Sequence, residues 1–267
     1  MGDRGQSTER TPAINFDVPH SARIWNYWLG GKDNYPVDRA AGDAFAQIYP
    51  AIFFQATQSR QFLIRTVRYL AEECGIRQFL DVGTGLPTME NTHEVAQAFA
   101  PESRIVYVDN DPLVLAHARA LLTNTTAEGV TAYVDADVHD PALIVADARN
   151  LLNFNKPLAV MFMGILGHVA DIEEARSIVH GVLDAAPSGS YLVHWDSTNT
   201  SPDRIQATAN YNKTGAVPYN LRSPEQLSEL YKGLELVEPG VVSISQWRQP
   251  DKDVSVADAY GAVARKP

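Results

Sequence analysis

Residues 78–88 read QFLDVGTGLPT. A short apolar run, Phe79-Leu80, reaches a carboxylate at Asp81, and glycines follow at 83 and 85. Such a run, ended by turn residues, predicts a buried strand that breaks into a tight loop. Glycine permits backbone conformations closed to other residues and lets a ligand lie against the main chain.

Downstream, strand and helix signals alternate. Asn91-Thr-His-Glu94 fits a capping box that opens a helix. Arg104–Val108 is the second strand, and Asp111-Pro112 supplies an N-cap followed by proline at the first helical position. Val130–Val134 is the third strand, and Asp140-Pro141 repeats that cap. Leu158–Phe162, a helix over Asp171–Ala186 and Ser190–His194 continue the pattern. A helix capped by Ser223-Pro224 follows, and the last strands fall at Leu234–Val237, Val241–Gln246 and Tyr260–Ala264. This alternation predicts a Rossmann-like α/β fold with a mostly parallel, doubly wound sheet. Ligands on such sheets sit beyond the C-terminal strand ends, where strand order reverses.

Two cofactor classes use a glycine loop there. A dinucleotide fingerprint needs a third glycine for close helix packing, and here Pro87 and Thr88 follow instead. Asp81 would repel a pyrophosphate. It would attract a ligand bearing an ammonium and a sulfonium, by about 4 kcal/mol at 4 Å and an effective dielectric of about 20. The charge therefore favours S-adenosylmethionine over NAD. The second strand ends Val108-Asp109-Asn110, and an acid there can accept from both ribose hydroxyls. The third runs into Asp137-Val138, where the acid can accept from an adenine amino group while the neighbouring backbone reads the ring. Aspartate also caps helices at such turns, and Asp111 and Asp140 fit that plainer role.

The segments QFLDVGTGLPT, NTHEVAQ, VYVDNDPLVLAHARALL, GSYLVHW and LELVEPGVVSISQW, with PHSARIWNYWLGGKDNYPVDRA near the start, resemble an actinobacterial S-adenosylmethionine-dependent methyltransferase-like family. The likeness spans about residues 17–250. It implies a class I methyltransferase fold: seven strands in the order 3-2-1-4-5-7-6, the seventh antiparallel, with helices added at the N-terminus. It also implies that Asp81, Gly83 and Gly85 contact the amino-acid end of the cofactor, Asp109 the ribose and Asp137 the adenine. Asn110 and Val138 adjoin these positions. The resemblance supplies no substrate.

Ahead of the first strand, residues 1–16 read as a flexible tail and 17–74 as a helical extension; 75–267 form the cofactor domain. Helical signals cover 21–29, 36–48 and 55–73. Between the first two lies LGGKDNYPVDR (29–39), which has a helix before its glycines and Asp33 after Lys32. A phosphate loop needs a preceding strand and a Lys-Ser/Thr ending. The glycines instead end a helix, and Arg23 to Arg39 is expected to cover the cofactor site, with Arg23, Tyr27 and Tyr35 near the ligand.

For the chemistry, Met163–His168 follows the fourth strand, where class I enzymes place acceptor-facing residues. It lacks the Asn/Asp-Pro-Pro-aromatic tetrad used on amino groups of bases. His168 is the candidate base; a histidine at such a turn also serves structural roles. His194 reads as packed within strand five. Asp196, just beyond that strand, is a candidate for the acceptor side, with turn-capping as the alternative. The polar connection 197–222 contains Tyr211 and Tyr219, which with Trp25 and Trp28 are candidate walls of an aromatic acceptor pocket.

Composition closes off other classes. The 267 residues are 45% hydrophobic and 20% charged, ordinary for a globular chain. A net charge of −10 argues against holding nucleic acid by its phosphates. The single cysteine, Cys74, permits no internal disulfide or cysteine zinc site and fits a reducing, cytoplasmic setting. The N-terminus has no apolar core of a signal peptide, and no apolar run is long enough to span a bilayer. No metal is expected. The expected function is methyl transfer from S-adenosylmethionine to a small molecule; the rivals are a regulatory protein that binds the cofactor without turnover, an NAD-linked oxidoreductase, and a protein methyltransferase.

Overall fold

The computed structural model describes residues 15–87, 90–121, 123–251 and 253–267; residues 1–14 of the expected tail and Thr88 lie outside the described residues. The described chain opens with three helices, α1 (Ser21–Trp28), α2 (Pro36–Ile48) and α3 (Ile52–Arg68). Gly30, at φ +77°, ends α1 in the left-handed region that favours glycine. Asn26 then fixes the turn: its Oδ1 accepts from Asp33 N at 3.0 Å and from Asn34 Nδ2 at 2.9 Å. A side chain on Gly31 would collide with Asn26, so both glycines are required where they stand. The third helix, expected over 55–73, begins three residues earlier and widens into one π-helical turn over Tyr69–Glu73.

These helices bury a core of their own. Ile24, Trp28, Phe45, Tyr49, Ile52 and Ala56 pack with Ala207, and the rings of Trp28 and Phe45 lie 5.2 Å apart. Truncating Phe45 to alanine removes the centre of this cluster, a loss of about 3–5 kcal/mol. Ala207 belongs to α8 (Pro202–Tyr211), which packs on α2. The connection 197–222 thus contains a helix, capped by Ser201 at Arg204 N.

The sheet strands are β1 (Gln78–Val82), β2 (Arg104–Asp109), β3 (Val130–Asp135), β4 (Ala159–Met163), β5 (Tyr191–Ser197), β6 (Glu235–Leu236), β7 (Val242–Ser243) and β8 (Ala259–Arg265). Their order is β3-β2-β1-β4-β5-β8-β6, with β7 also pairing β8. The expected order holds with β8 in the place of strand seven, antiparallel to β5. The count is eight because the segment expected as a strand over 241–246 forms β7, which pairs β8 through two residues beside the seven strands of that order. Every residue of β1 is buried, as a central parallel strand covered on both faces requires. One core layer packs α6 (Pro141–Ala148) and α7 (Ile172–Leu183) on the sheet; the other packs α3 and α4 (Thr92–Phe99), and α5 (Pro112–Leu121) joins β2 to β3.

The pairing with β8 runs the full length of β5, from Tyr191 opposite Arg265 to Ser197 opposite Ala259. Asp196, expected beyond the strand, therefore lies within it and is buried. Its Oδ1 accepts from Tyr219 Oη at 2.7 Å and its Oδ2 stands 2.9 Å from His194 Nε2. That network leaves it no face toward an acceptor. His194 is packed, as expected.

Candidate active site

A cleft of about 250 Å³ opens at the C-terminal ends of β1, β2, β3 and β4, and α1 and α3 wall its other side. The sequence signal decides its floor. Gly83 and Gly85 adopt φ +71° and +67°, and a Cβ on Gly83 would collide with Ile165, so the loop lies hard against the segment after β4. Asp109, at the end of β2, holds the loop: Oδ2 accepts from Gly85 N at 2.8 Å, and Oδ1 from Asn110 N and Asp111 N at 2.9 and 3.0 Å. Burial nonetheless pushes its carboxyl above the usual carboxylate range.

Asp81 lies deepest. Its Oδ2 accepts a 2.7 Å hydrogen bond from Thr92 Oγ1, while its buried Oδ1 has no partner among the described residues. Burial pushes this carboxyl up to about 6, opposed by the Thr92 hydrogen bond and by the charge of Arg60. Arg60, from α3, lines the same end of the cleft; burial lowers it, and the charge of Asp81 opposes that most strongly. A carboxylate and a guanidinium that line one cleft and feel each other's charge match the ammonium and carboxylate of an amino acid. Arg60 carries no local sequence signal, since it sits in a helix read only for its apolar period.

At the other end, Asp137 accepts from Asn110 Nδ2 at 2.8 Å and from His139 N at 2.9 Å. Burial would raise it, but the backbone and side-chain hydrogen bonds of His139 outweigh burial and hold it low. Val138 lines the cleft beside it. Asp81, Gly83, Gly85, Asp109, Asn110, Asp137 and Val138 are therefore brought together along one wall.

Three expected residues are not: Arg23, Tyr27 and Tyr35 do not line the cleft. Arg23 is buried behind α1, its Nε 3.0 Å from Asp38 Oδ2 and its other nitrogens on Asn15 O and Val18 O. Tyr27 turns the opposite way from the cleft and donates a 2.5 Å hydrogen bond to Asp43. The face of α1 toward the cleft carries Ser21, Ala22, Trp25, Asn26 and Leu29 instead. Tyr35 packs with Leu86, Leu113 and Val114 beneath the loop. His20, just before α1, reaches Asp111 Oδ2 at 2.9 Å and ties the helix to the turn after β2.

His168 ends the 3-10 turn after β4 and lines the cleft. Its Nδ1 lies 2.9 Å from Pro218 O. A carbonyl only accepts, so Nδ1 carries the proton and Nε2 keeps a lone pair. Burial lowers its pKa, which keeps the ring neutral near pH 7. Trp25, Trp28, Tyr211 and Tyr219 line one side pocket that adjoins the cleft and shares Ser21, Trp25 and His168 with it.

A carboxylate oxygen left unpaired in a buried site, glycines that bring backbone against the ligand and an acid at the end of β2 fit S-adenosylmethionine. A family model described as S-adenosyl methyltransferase matches residues 7–267. The chain is similar to a solved DUF574-family protein from Streptomyces avermitilis, 44% identical, with TM-score 0.87, covering 94% of this chain and 99% of that one. It is similar also to a solved protein from Thermobifida fusca proposed as a methyltransferase, 36% identical, with TM-score 0.87 and coverage of 97% and 99%. Among curated proteins none matches. The chain belongs to the S-adenosyl methyltransferase family and is an S-adenosylmethionine-dependent methyltransferase.

Proposed function

We propose that this enzyme methylates a small molecule that enters beside Trp25 and His168, and that Asp81 and Arg60 clamp the amino-acid end of the cofactor. The unpaired, buried Oδ1 of Asp81, within reach of the charge of Arg60, carries the reading. S-adenosylmethionine supplies, when bound, a sulfonium methyl group that is displaced onto a nucleophile and leaves a neutral thioether. Asp81 Oδ1 accepts from the ammonium and Arg60 donates to the carboxylate. Asp109, already oriented by three backbone N–H groups, accepts from the ribose hydroxyls, and Asp137 with Val138 reads the adenine. Trp25 excludes water from the reacting end, which strengthens every electrostatic contact there. Where the nucleophile is a phenol or an amine, its proton passes to Nε2 of His168.

Residues 17–74 serve in this reading as a cover, held at one edge by the His20–Asp111 pair. The net charge of −10 and the missing tetrad after β4 disfavour nucleic acid as acceptor. No helix of the described residues is long and apolar enough to cross a membrane. The lone Cys74 supports a reducing, cytoplasmic setting, and the Streptomyces and Thermobifida relatives support an actinobacterial one.

The test is incubation with methyl-labelled S-adenosylmethionine and a panel of small phenols, amines and carboxylic acids. Transfer to a small molecule, abolished in His168→Gln with S-adenosylhomocysteine affinity retained, is expected. Label found only on protein or nucleic acid from a cell extract would contradict it.

A further inference from the structure

The side pocket is walled by aromatic rings, yet a buried guanidinium lines it as well. Arg204 is buried, and its Nη2 donates to Ser197 Oγ at 2.7 Å. Its Nε and Nη1 have no hydrogen-bond partner among the described residues, nor has the buried Oγ1 of Thr208 one turn on. Both residues line the pocket. Arg204 is the third residue of α8, where the helix dipole disfavours a cation. The ring faces of Phe45 and Tyr49, 4.9 and 5.4 Å from Cζ, offset part of that cost. Asp258, the acid whose charge reaches it, is itself held by Tyr49 Oη at 2.8 Å and Thr200 Oγ1 at 2.7 Å. Buried donors left unpaired in a native fold call for an acceptor.

The pocket measures about 30 Å³. It is small beside the cleft of about 250 Å³, and a carboxylate matches the donors that line it. A carboxylate offers two acceptor oxygens to Arg204 and a lone pair to Thr208.

We propose that the side pocket is the anchor for the methyl acceptor, which is a small molecule bearing a carboxylate: Arg204 and Thr208 hold the carboxylate, and the remainder passes Trp25 and His168 into the cleft. This rests on the cleft's being the cofactor site, and it names the acceptor's class. Ser21, Trp25 and His168, shared by the two spaces, mark the point where the acceptor's nucleophile meets the base.

The experiment uses the full chain saturated with S-adenosylhomocysteine. Its melting temperature is followed against sodium acetate and sodium benzoate, with sodium chloride at equal ionic strength and acetamide and benzamide as controls. The carboxylates should stabilise saturably and the amides should not. Arg204→Met should weaken the carboxylate effect about tenfold or more, as loss of a charge-assisted pair does, while S-adenosylhomocysteine affinity is unchanged. Thr208→Val, which keeps the volume, should weaken it less and serves if Arg204→Met does not fold. Equal effects of carboxylate and amide, or an undiminished carboxylate effect in both variants, would overturn the anchor while leaving the cofactor site standing. Failure of S-adenosylhomocysteine to bind the wild type overturns the cofactor reading instead, and the carboxylate response is then read without it.

Discussion

Thr92 Oγ1 donates to Asp81 Oδ2 at 2.7 Å and thereby divides one carboxylate between two tasks. One oxygen joins β1 to the start of α4; the other stays buried and unpaired among the described residues that line the cleft. A group in that state is a cost to the apo fold and a benefit to the complex.

The two loop glycines should differ when substituted. Gly83→Ala meets both a positive φ and the Ile165 side chain, whereas Gly85→Ala meets the φ penalty with only Ala22 Cβ nearby, at 3.8 Å. Gly85→Ala should cost about 1–2 kcal/mol and Gly83→Ala a further 1–3 kcal/mol, read by urea denaturation. Equal losses would mean that the loop moves away from Ile165 freely.

Asp109→Ala removes the acceptor for three backbone N–H groups together with the expected ribose contact. Calorimetry should find no S-adenosylhomocysteine binding in a protein whose circular dichroism is native. Binding at wild-type affinity would remove Asp109 from the site.

Arg23 and Asp38 are 4% and 0% exposed and pair at 3.0 Å, so breaking one partner strands the other. Asp38→Ala should destabilise by about 3–5 kcal/mol. A loss below about 1 kcal/mol, typical of a surface pair, would contradict the buried pair.

His168 should be neutral at pH 7 with its proton on Nδ1, the tautomer that Pro218 O selects. Nitrogen-15 long-range correlation spectra of the labelled protein resolve the two ring nitrogens. An Nε2–H tautomer, or an imidazolium at pH 7, would remove it as a base.

What the sequence made legible is what local chemistry dictates. Strand ends marked by Asp81, Asp109 and Asp137 emerge side by side because a parallel sheet aligns its C-terminal ends. Arg23 and Tyr27 were misplaced because helical spacing names a face without saying what it faces; Asp38, fifteen residues on, decides it. Asp196 was expected outside β5 because the antiparallel partner that extends the strand lies over sixty residues away. Arg60, one of three arginines in α3, and Arg204, the one cation of α8, stand out only once the fold places them along the cleft and the side pocket. The helix after Ser201-Pro202 did carry its signal, the same cap-and-proline pair that marks the helices after 111 and 140.

In the proposed site Asp81 binds the cofactor's ammonium. Burial raises this carboxyl from 3.8 to about 6, so the folded apo protein binds an extra proton between those values. Its contribution to apo stability therefore falls as pH rises through that window, and Asp81→Asn should be neutral or stabilising at pH 8. Binding runs the other way, because the ammonium needs the carboxylate. The deciding measurement is calorimetric titration of wild type and Asp81→Asn with S-adenosylhomocysteine from pH 8 to pH 5. Wild-type affinity should be level above pH 7 and fall below about 6, approaching tenfold per pH unit, while Asp81→Asn binds weakly at every pH. An Asp81→Asn protein that binds as tightly as wild type at pH 8 would contradict the account.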